Sequence, residues 1–145
     1  MAYQDTTVFS ASAVAIGDAA LTIEGPPGSG KTSLALALID RGARLIGDDG
    51  VRLTRQGDRL IASPPPNIAG LLEVRGVGIV EFPLGPSLPL ALILSLGTSA
   101  ERLPDPVPQK EILGISMPCL PFVAGDMAPA FRAELALAKH GISQS

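Results

Sequence analysis

The stretch Gly25-Pro26-Pro27-Gly28-Ser29-Gly30-Lys31-Thr32 constrains this chain more than any other. It satisfies G-x-x-x-x-G-K-[ST], the phosphate-binding loop, in full. Glycines at 25, 28 and 30 let the backbone turn so that several N–H groups converge on one anion. Lys31 is a mobile cation able to reach β- and γ-phosphates, and the Thr32 hydroxyl is a hard oxygen ligand for Mg²⁺. All eight residues are therefore nucleotide-binding candidates. Such a loop also dictates its flanks, because it must leave a strand and open a helix. Ala19–Ile23, ending at Glu24, supplies the strand pattern, and Ser33–Asp40 supplies a helix whose positive end faces the phosphates.

The 145 residues suit one domain, residues 1–145, able to bury about two thirds of its unfolded surface. Charged residues make up 17% and mean hydropathy is +0.36, so much of the chain must be core or subunit interface. No apolar run is long enough to span a bilayer, and Met1–Thr7 lacks the pattern of a signal peptide. The formal charge of −3 argues against a general nucleic-acid binder. A single cysteine, Cys119, rules out an internal disulfide and matches a reducing cytosol, so a cytoplasmic location is expected. Between Pro118 and Leu120, Cys119 reads as a small core residue rather than a nucleophile. The only histidine is His140, so a mechanism here needs another base.

The remaining pattern predicts an α/β domain with a mixed sheet and few helices. Val8–Ile16 reads as one strand, turned at Gly17-Asp18 into Ala19–Ile23. The helix from Lys31 is apolar nearly all round, and Gly42 suits its C′ position. Arg44–Gly47 is a short strand, expected to lie beside the loop strand. Val51–Leu53 and Leu60–Ala62 form a hairpin about Gln56-Gly57-Asp58, and Pro64-Pro65-Pro66 enforces extension. Leu90–Leu96, bounded by Pro89 and Gly97, reads as a central strand, with a buried helix as the alternative. Arg102–Pro108 reads as loop, Glu111–Ile115 as strand, and Ala128–His140 as a helix with Pro129 in its first turn.

Two acidic features could complete a site. Asp48 and Asp49 end the short strand, where phosphate-loop enzymes carry a metal carboxylate, and Gly50 lets the chain turn so that both converge; a solvated Asp-Asp-Gly turn is the plainer alternative. Glu73 and Arg75 share a face if their segment is a strand. Among Leu72, Val74 and Val77 they form either a partly buried ion pair or part of a site.

Three segments together carry a family resemblance: Gly30-Lys31-Thr32, Leu45-Ile46-Gly47-Asp48-Asp49, and Leu72-Glu73-Val74-Arg75-Gly76-Val77-Gly78-Ile79. Their order and spacing resemble the catalytic domain of the HPr kinase/phosphorylase family over about Ser10–Ile79, and the third segment is the most specific. The length is similar to that of compact members lacking the N-terminal domain. The resemblance implies an ATP- and Mg²⁺-dependent protein-serine kinase acting on an HPr-like phosphocarrier of the sugar phosphotransferase system, and a homo-oligomer, by resemblance a hexamer. Mapped by motif, it makes Asp49 the proton acceptor and Lys31 the phosphate lysine. Thr32, Glu73 and Asp48 become metal ligands, and Asp48, Arg75 and Arg102 join the catalytic set.

Two departures bear on direction. The family's active-site histidine falls at Ser10, and a serine neither carries that charge nor accepts a proton near neutral pH. The family's basic loop tied to dephosphorylation falls at Ser116–Pro121, which has no basic residue. The resemblance therefore implies a kinase with little phosphorylase activity. A nucleotide-binding regulator without catalysis and a small-molecule kinase or nucleotide hydrolase are the alternatives.

Overall fold

The computed structural model describes residues 5–65, 70–97 and 103–142. Within them lie eleven strands and two helices. In chain order these are β1 (Thr6–Phe9), β2 (Ser12–Ile16), β3 (Ala19–Glu24), α1 (Lys31–Asp40), β4 (Arg44–Gly47), β5 (Val51–Gln56) and β6 (Arg59–Ser63). There follow β7 (Leu71–Val74), β8 (Gly78–Glu81), β9 (Leu88–Ser95), β10 (Gln109–Ile112), β11 (Ile115–Pro121) and α2 (Pro129–His140).

Nine strands form one mixed sheet: seven run in the order β1-β5-β6-β9-β3-β2-β4, and β11, paired with β10, joins it at β9. Parallel pairing joins β3 to β9 and β9 to β11, while β6 meets the start of β9 at Leu88 and Pro89. One edge of β9 is thus shared between β6 at its start and β11 at its end, which curls the sheet. The central strands are apolar on both faces for this reason. Val14, Leu21, Leu92 and Leu94 face the helices, whereas Ala13, Ala15, Ala20 and Ile93 face the curled wing of β5, β6 and β10–β11. Burying each of the larger side chains contributes about 1.5–3 kcal/mol. This two-sided burial accounts for the unbroken apolar run in β9 and settles it as a strand.

Helix α1 lies on one face and buries Leu34, Ala35 and Leu38. Its C-terminal turn closes as expected, with Gly42 at φ 108° and its N–H bonded to Ile39 O. Arg41 ties α1 to α2 through two hydrogen bonds to Glu134 and stacks over Phe131. That contact holds the Glu134 carboxyl below its usual range.

The structure alters four sequence expectations. Val8–Ile16 is not one strand: it breaks at Ser10–Ala11, because β1 pairs with β5 while β2 pairs with β3 and β4. β4 does not lie beside the loop strand, since β2 separates them. Glu73 and Arg75 do not share a strand face. β7 ends at Val74, Arg75-Gly76-Val77 is a turn, and both charged side chains are exposed without an ion pair between them. Ser116–Pro121 is not a loop but most of β11, with Met117 and Leu120 buried. Pro118 and Pro121 are accommodated because β11 lies at the sheet's edge over part of its length. Arg102 and Pro66 lie outside the described residues.

Candidate active site

The phosphate loop leaves the C-terminal end of β3, a strand paired on both sides. Glu24, its last residue, is braced by Lys110 of β10 at 3.0 Å, and Leu96 N–H bonds to Glu24 O at 2.8 Å. The loop closes on itself through Ser29 N–H to Pro26 O, and α1 begins with Leu34 N–H to Gly30 O. Gly30 is the N-cap at φ 103° with no side-chain cap. The N–H groups of Lys31, Thr32 and Ser33 therefore point off the helix start with no intrahelical acceptor.

Several observations test whether a magnesium nucleotide fits these residues. Ser29 Oγ is buried and has no hydrogen-bond partner among the described residues. A Cβ on Gly25 would sit 2.6 Å from Ser29 Oγ and 3.1 Å from Leu96 O, so the loop's turn requires glycine. Lys31 Nζ stands at the loop, 2.7 Å from Gly25 O and 3.4 Å from Pro26 O. The Thr32 hydroxyl and the Asp48 carboxylate are hard oxygen donors placed together, as Mg²⁺ requires. The residues fit the group.

Asp48 is the point of convergence. Its Oδ1 accepts from Thr32 Oγ1 at 3.1 Å and from Ser12 Oγ at 2.8 Å. These bonds span the intervening strand: Ser12 lies on β2, between β3 and β4, and is fully buried. Ser12 was not among the candidates from sequence. The signal that could have found it is a lone hydroxyl among the alanines and valines of β2. Asp49 turns away at φ 66° into the αL region, which separates its side chain from that of Asp48. It lines an opening shared with Pro27, Lys31, Thr32 and Arg75. The two acids thus reach Thr32 by different routes: Asp48 by its bond to Thr32 Oγ1, and Asp49 through the opening that Thr32 also lines.

Glu73 and Arg75 reach the same region from the β7–β8 hairpin. They line a cleft of about 700 Å³ with Thr32, Ser33, Val77 and Gly78. No group of three or more His, Cys, Asp or Glu suited to a metal occurs among the described residues, so Glu73 and Asp48 do not form such a cluster with a third carboxylate. Ser10 lies exposed in the bend between β1 and β2. Cys119 is half-buried, with its thiol 3.7 Å from Glu24. Burial first, then the Glu24 carboxylate, pushes that thiol up to about 11, which keeps it a neutral group rather than a nucleophile.

A phosphate loop on a central strand, with a threonine–aspartate pair at its base and Asp49, Glu73 and Arg75 lining the openings beside it, defines a phosphate-loop domain. The family model of the HPr serine kinase C-terminal domain matches residues 2–84, and the chain belongs to that family. Among its relatives, the HPr kinase/phosphorylase of Clostridium tetani is 46% identical over 63 residues, covering 43% of this chain and 21% of the relative. That of Geobacillus thermodenitrificans is 40% identical over 101 residues, covering 64% of this chain and 31% of the relative. The chain thus spans less than a third of the length of these curated relatives. The structure of the HPr(Ser) kinase/phosphatase from Coxiella burnetii superposes with a TM-score of 0.77 at 28% identity, covering 91% of this chain and 95% of that one. The mixed α/β architecture is therefore that of the HPr kinase C-terminal domain. No helix among the described residues is long and apolar enough to cross a membrane.

Proposed function

We propose that this chain is an ATP- and Mg²⁺-dependent protein-serine kinase that acts on an HPr-like phosphocarrier in the forward direction only. The observation that carries the reading is the convergence of Asp48 on Thr32 with Asp49 facing the opening that holds Lys31 and Arg75. Thr32 and Asp48, with Glu73 from the hairpin, would hold Mg²⁺, which when bound neutralises phosphate charge. Lys31 and the first-turn N–H groups of α1 bind the polyphosphate. Asp49 takes the proton of the acceptor serine as its oxygen bonds to the γ-phosphorus and the bridging oxygen departs with ADP. Arg75 and the apolar Val77 and Ile79 on the hairpin offer the acceptor protein a docking edge; these two are 72% and 73% exposed. The same exposed pair suits subunit contact in a homo-oligomer.

Forward-only transfer rests on Ser10 and on β11. Bringing inorganic phosphate beside a phosphoserine needs extra positive charge or a proton donor, and neither Ser10 nor Ser116–Pro121 supplies one. The test is phosphotransfer from ATP to an HPr-like protein, with Lys31→Ala and Asp49→Asn as variants. Wild type should transfer, Lys31→Ala should lose ATP binding, and Asp49→Asn should bind ATP but not transfer. Transfer that survives Asp49→Asn would sink the assigned base. The exposed position of Ser10 favours one second reading, a nucleotide-binding regulator without catalysis. ATP binding without transfer to the correct partner would select it.

A further inference from the structure

The strand that carries the phosphate loop ends in a carboxylate: Glu24 is the last residue of β3, and Gly25 opens the loop. A negative charge there works against the loop, because it repels a bound polyphosphate and is only weakly screened at a partly buried position. The structure shows how that charge is met. Glu24 Oε1 lies 3.0 Å from Lys110 Nζ of β10, and Oε2 takes the Cys119 thiol of β11 at 3.7 Å. Lys110 is itself held over the Phe9 ring of β1, 5.5 Å from its centre. We propose that Lys110 is a positioning residue for the phosphate loop, pairing with Glu24 to hold that carboxylate on the wing side of the sheet and cancel its charge toward a bound polyphosphate. The inference rests on the nucleotide-binding part of the reading above.

Three features support it. First, both oxygens of the carboxylate are engaged by the β10–β11 hairpin, so the side chain is turned toward the wing rather than along the loop. Second, the backbone cannot carry the carboxylate away. Leu96 N–H bonds to Glu24 O at 2.8 Å, and the next residue, Gly25, packs so closely that a Cβ there would lie 3.1 Å from Leu96 O. With its place fixed, the charge can be neutralised only by a counter-ion. The loop's own cation is a poor choice, because Lys31 must be free for the phosphates. Lys31 Nζ rests 2.7 Å from Gly25 O, one residue beyond Glu24, and a separate cation from β10 leaves it uncommitted to the carboxylate. Third, stability is a weak reason for such a pair. The side chains of Glu24 and Lys110 are 17% and 41% exposed, and ion pairs that solvent reaches add little net stability. Apolar residues of similar volume would serve the packing as well.

The experiment measures ATP affinity by calorimetry with Mg²⁺ present, beside Tm, for variants of both partners. Lys110→Met keeps the side chain's length and removes its charge, so affinity should fall about fivefold, the upper range for a partly exposed charge pair. Glu24→Gln keeps the shape and removes the opposite charge, so affinity should rise. The double variant should return to within about twofold of wild type, because the two effects cancel. Lys110→Arg should keep wild-type affinity, and added salt should shrink the Lys110→Met deficit. A merely structural tie would lower Tm in both single variants and move their affinities in the same direction or leave them unchanged; either result would overturn the proposal. If Lys110→Met does not fold, Glu24→Gln decides alone, since unchanged or weaker binding in it would overturn the proposal. Failure of wild type to bind ATP would instead overturn the nucleotide-binding reading, and this inference with it.

Discussion

Ser12→Ala tests the least expected part of the site. Ser12 Oγ donates to Asp48 Oδ1 at 2.8 Å from a fully buried position, and Thr32 is the second donor to the same oxygen at 3.1 Å. A hydrogen bond to a charged group has a net value of about 1.5–3 kcal/mol. Asp48 is only half-buried, and water can replace part of what is lost, so the lower end applies. Removing one oxygen leaves a hole too small to add much. The expected loss is about 1.5 kcal/mol, or about 3–6 °C in Tm for a domain of this size. Asp48 also loses one of its two tethers, so activation should require several-fold more Mg²⁺. Urea unfolding of Ser12→Ala, Asp48→Ala and the double variant isolates the bond, with a coupling of about 1 kcal/mol expected. Ser12→Thr keeps the hydroxyl and should retain the low Mg²⁺ requirement. A coupling under about 0.3 kcal/mol, together with an unchanged Mg²⁺ requirement, would refute the reasoning.

Gly25→Ala should abolish ATP binding while the sheet still unfolds cooperatively, because the new Cβ meets Ser29 Oγ and Leu96; calorimetry showing ordinary ATP affinity would count against it. Glu73→Gln should raise the Mg²⁺ requirement without lowering Tm, since Glu73 is exposed; unchanged Mg²⁺ dependence would remove it from the metal set. Cys119 has its thiol pushed from an ordinary 9.0 to about 11 in the folded protein. Its contribution is therefore full below pH 9 and lost as pH rises towards 11, because the unfolded chain releases the proton first. The difference in stability between wild type and Cys119→Ser should shrink across that window, and a difference constant from pH 8 to 11 would contradict the shift.

Where turn chemistry was explicit, the sequence was sufficient. Gly17-Asp18 and Gly57-Asp58 close the β2–β3 and β5–β6 hairpins, and Gly42 ends α1. What stayed hidden depends on partners distant in sequence. The break at Ser10–Ala11 exists because two neighbouring segments pair with different strands, and no local pattern records that. β11 was obscured by Pro118 and Pro121, which read as loop unless the edge position is known. The site shows the same division. The loop was legible in full, whereas the Ser12–Asp48–Thr32 contact joins three elements across the sheet and is a property of strand order. Asp48 and Asp49 were legible as a pair, but their separate orientations follow from the αL conformation of Asp49.

The β7–β8 hairpin pairs with no other described strand. It rests on α1, and the chain after it is held to β4 by Gly85 N–H bonded to Leu45 O. An isolated two-stranded unit has little cooperativity of its own. Its amides should therefore exchange with solvent deuterium through local opening, at a free energy well below that of global unfolding, while those of β3 and β9 exchange only when the whole sheet unfolds. The two halves of the site thus belong to different cooperative units. On the proposed reading the polyphosphate would sit on the rigid one, while Glu73 and Arg75 ride on the other. Any acceptor that closes the hairpin onto α1 must supply the free energy of ordering it, so weak acceptors should show slow turnover even when nucleotide is saturating.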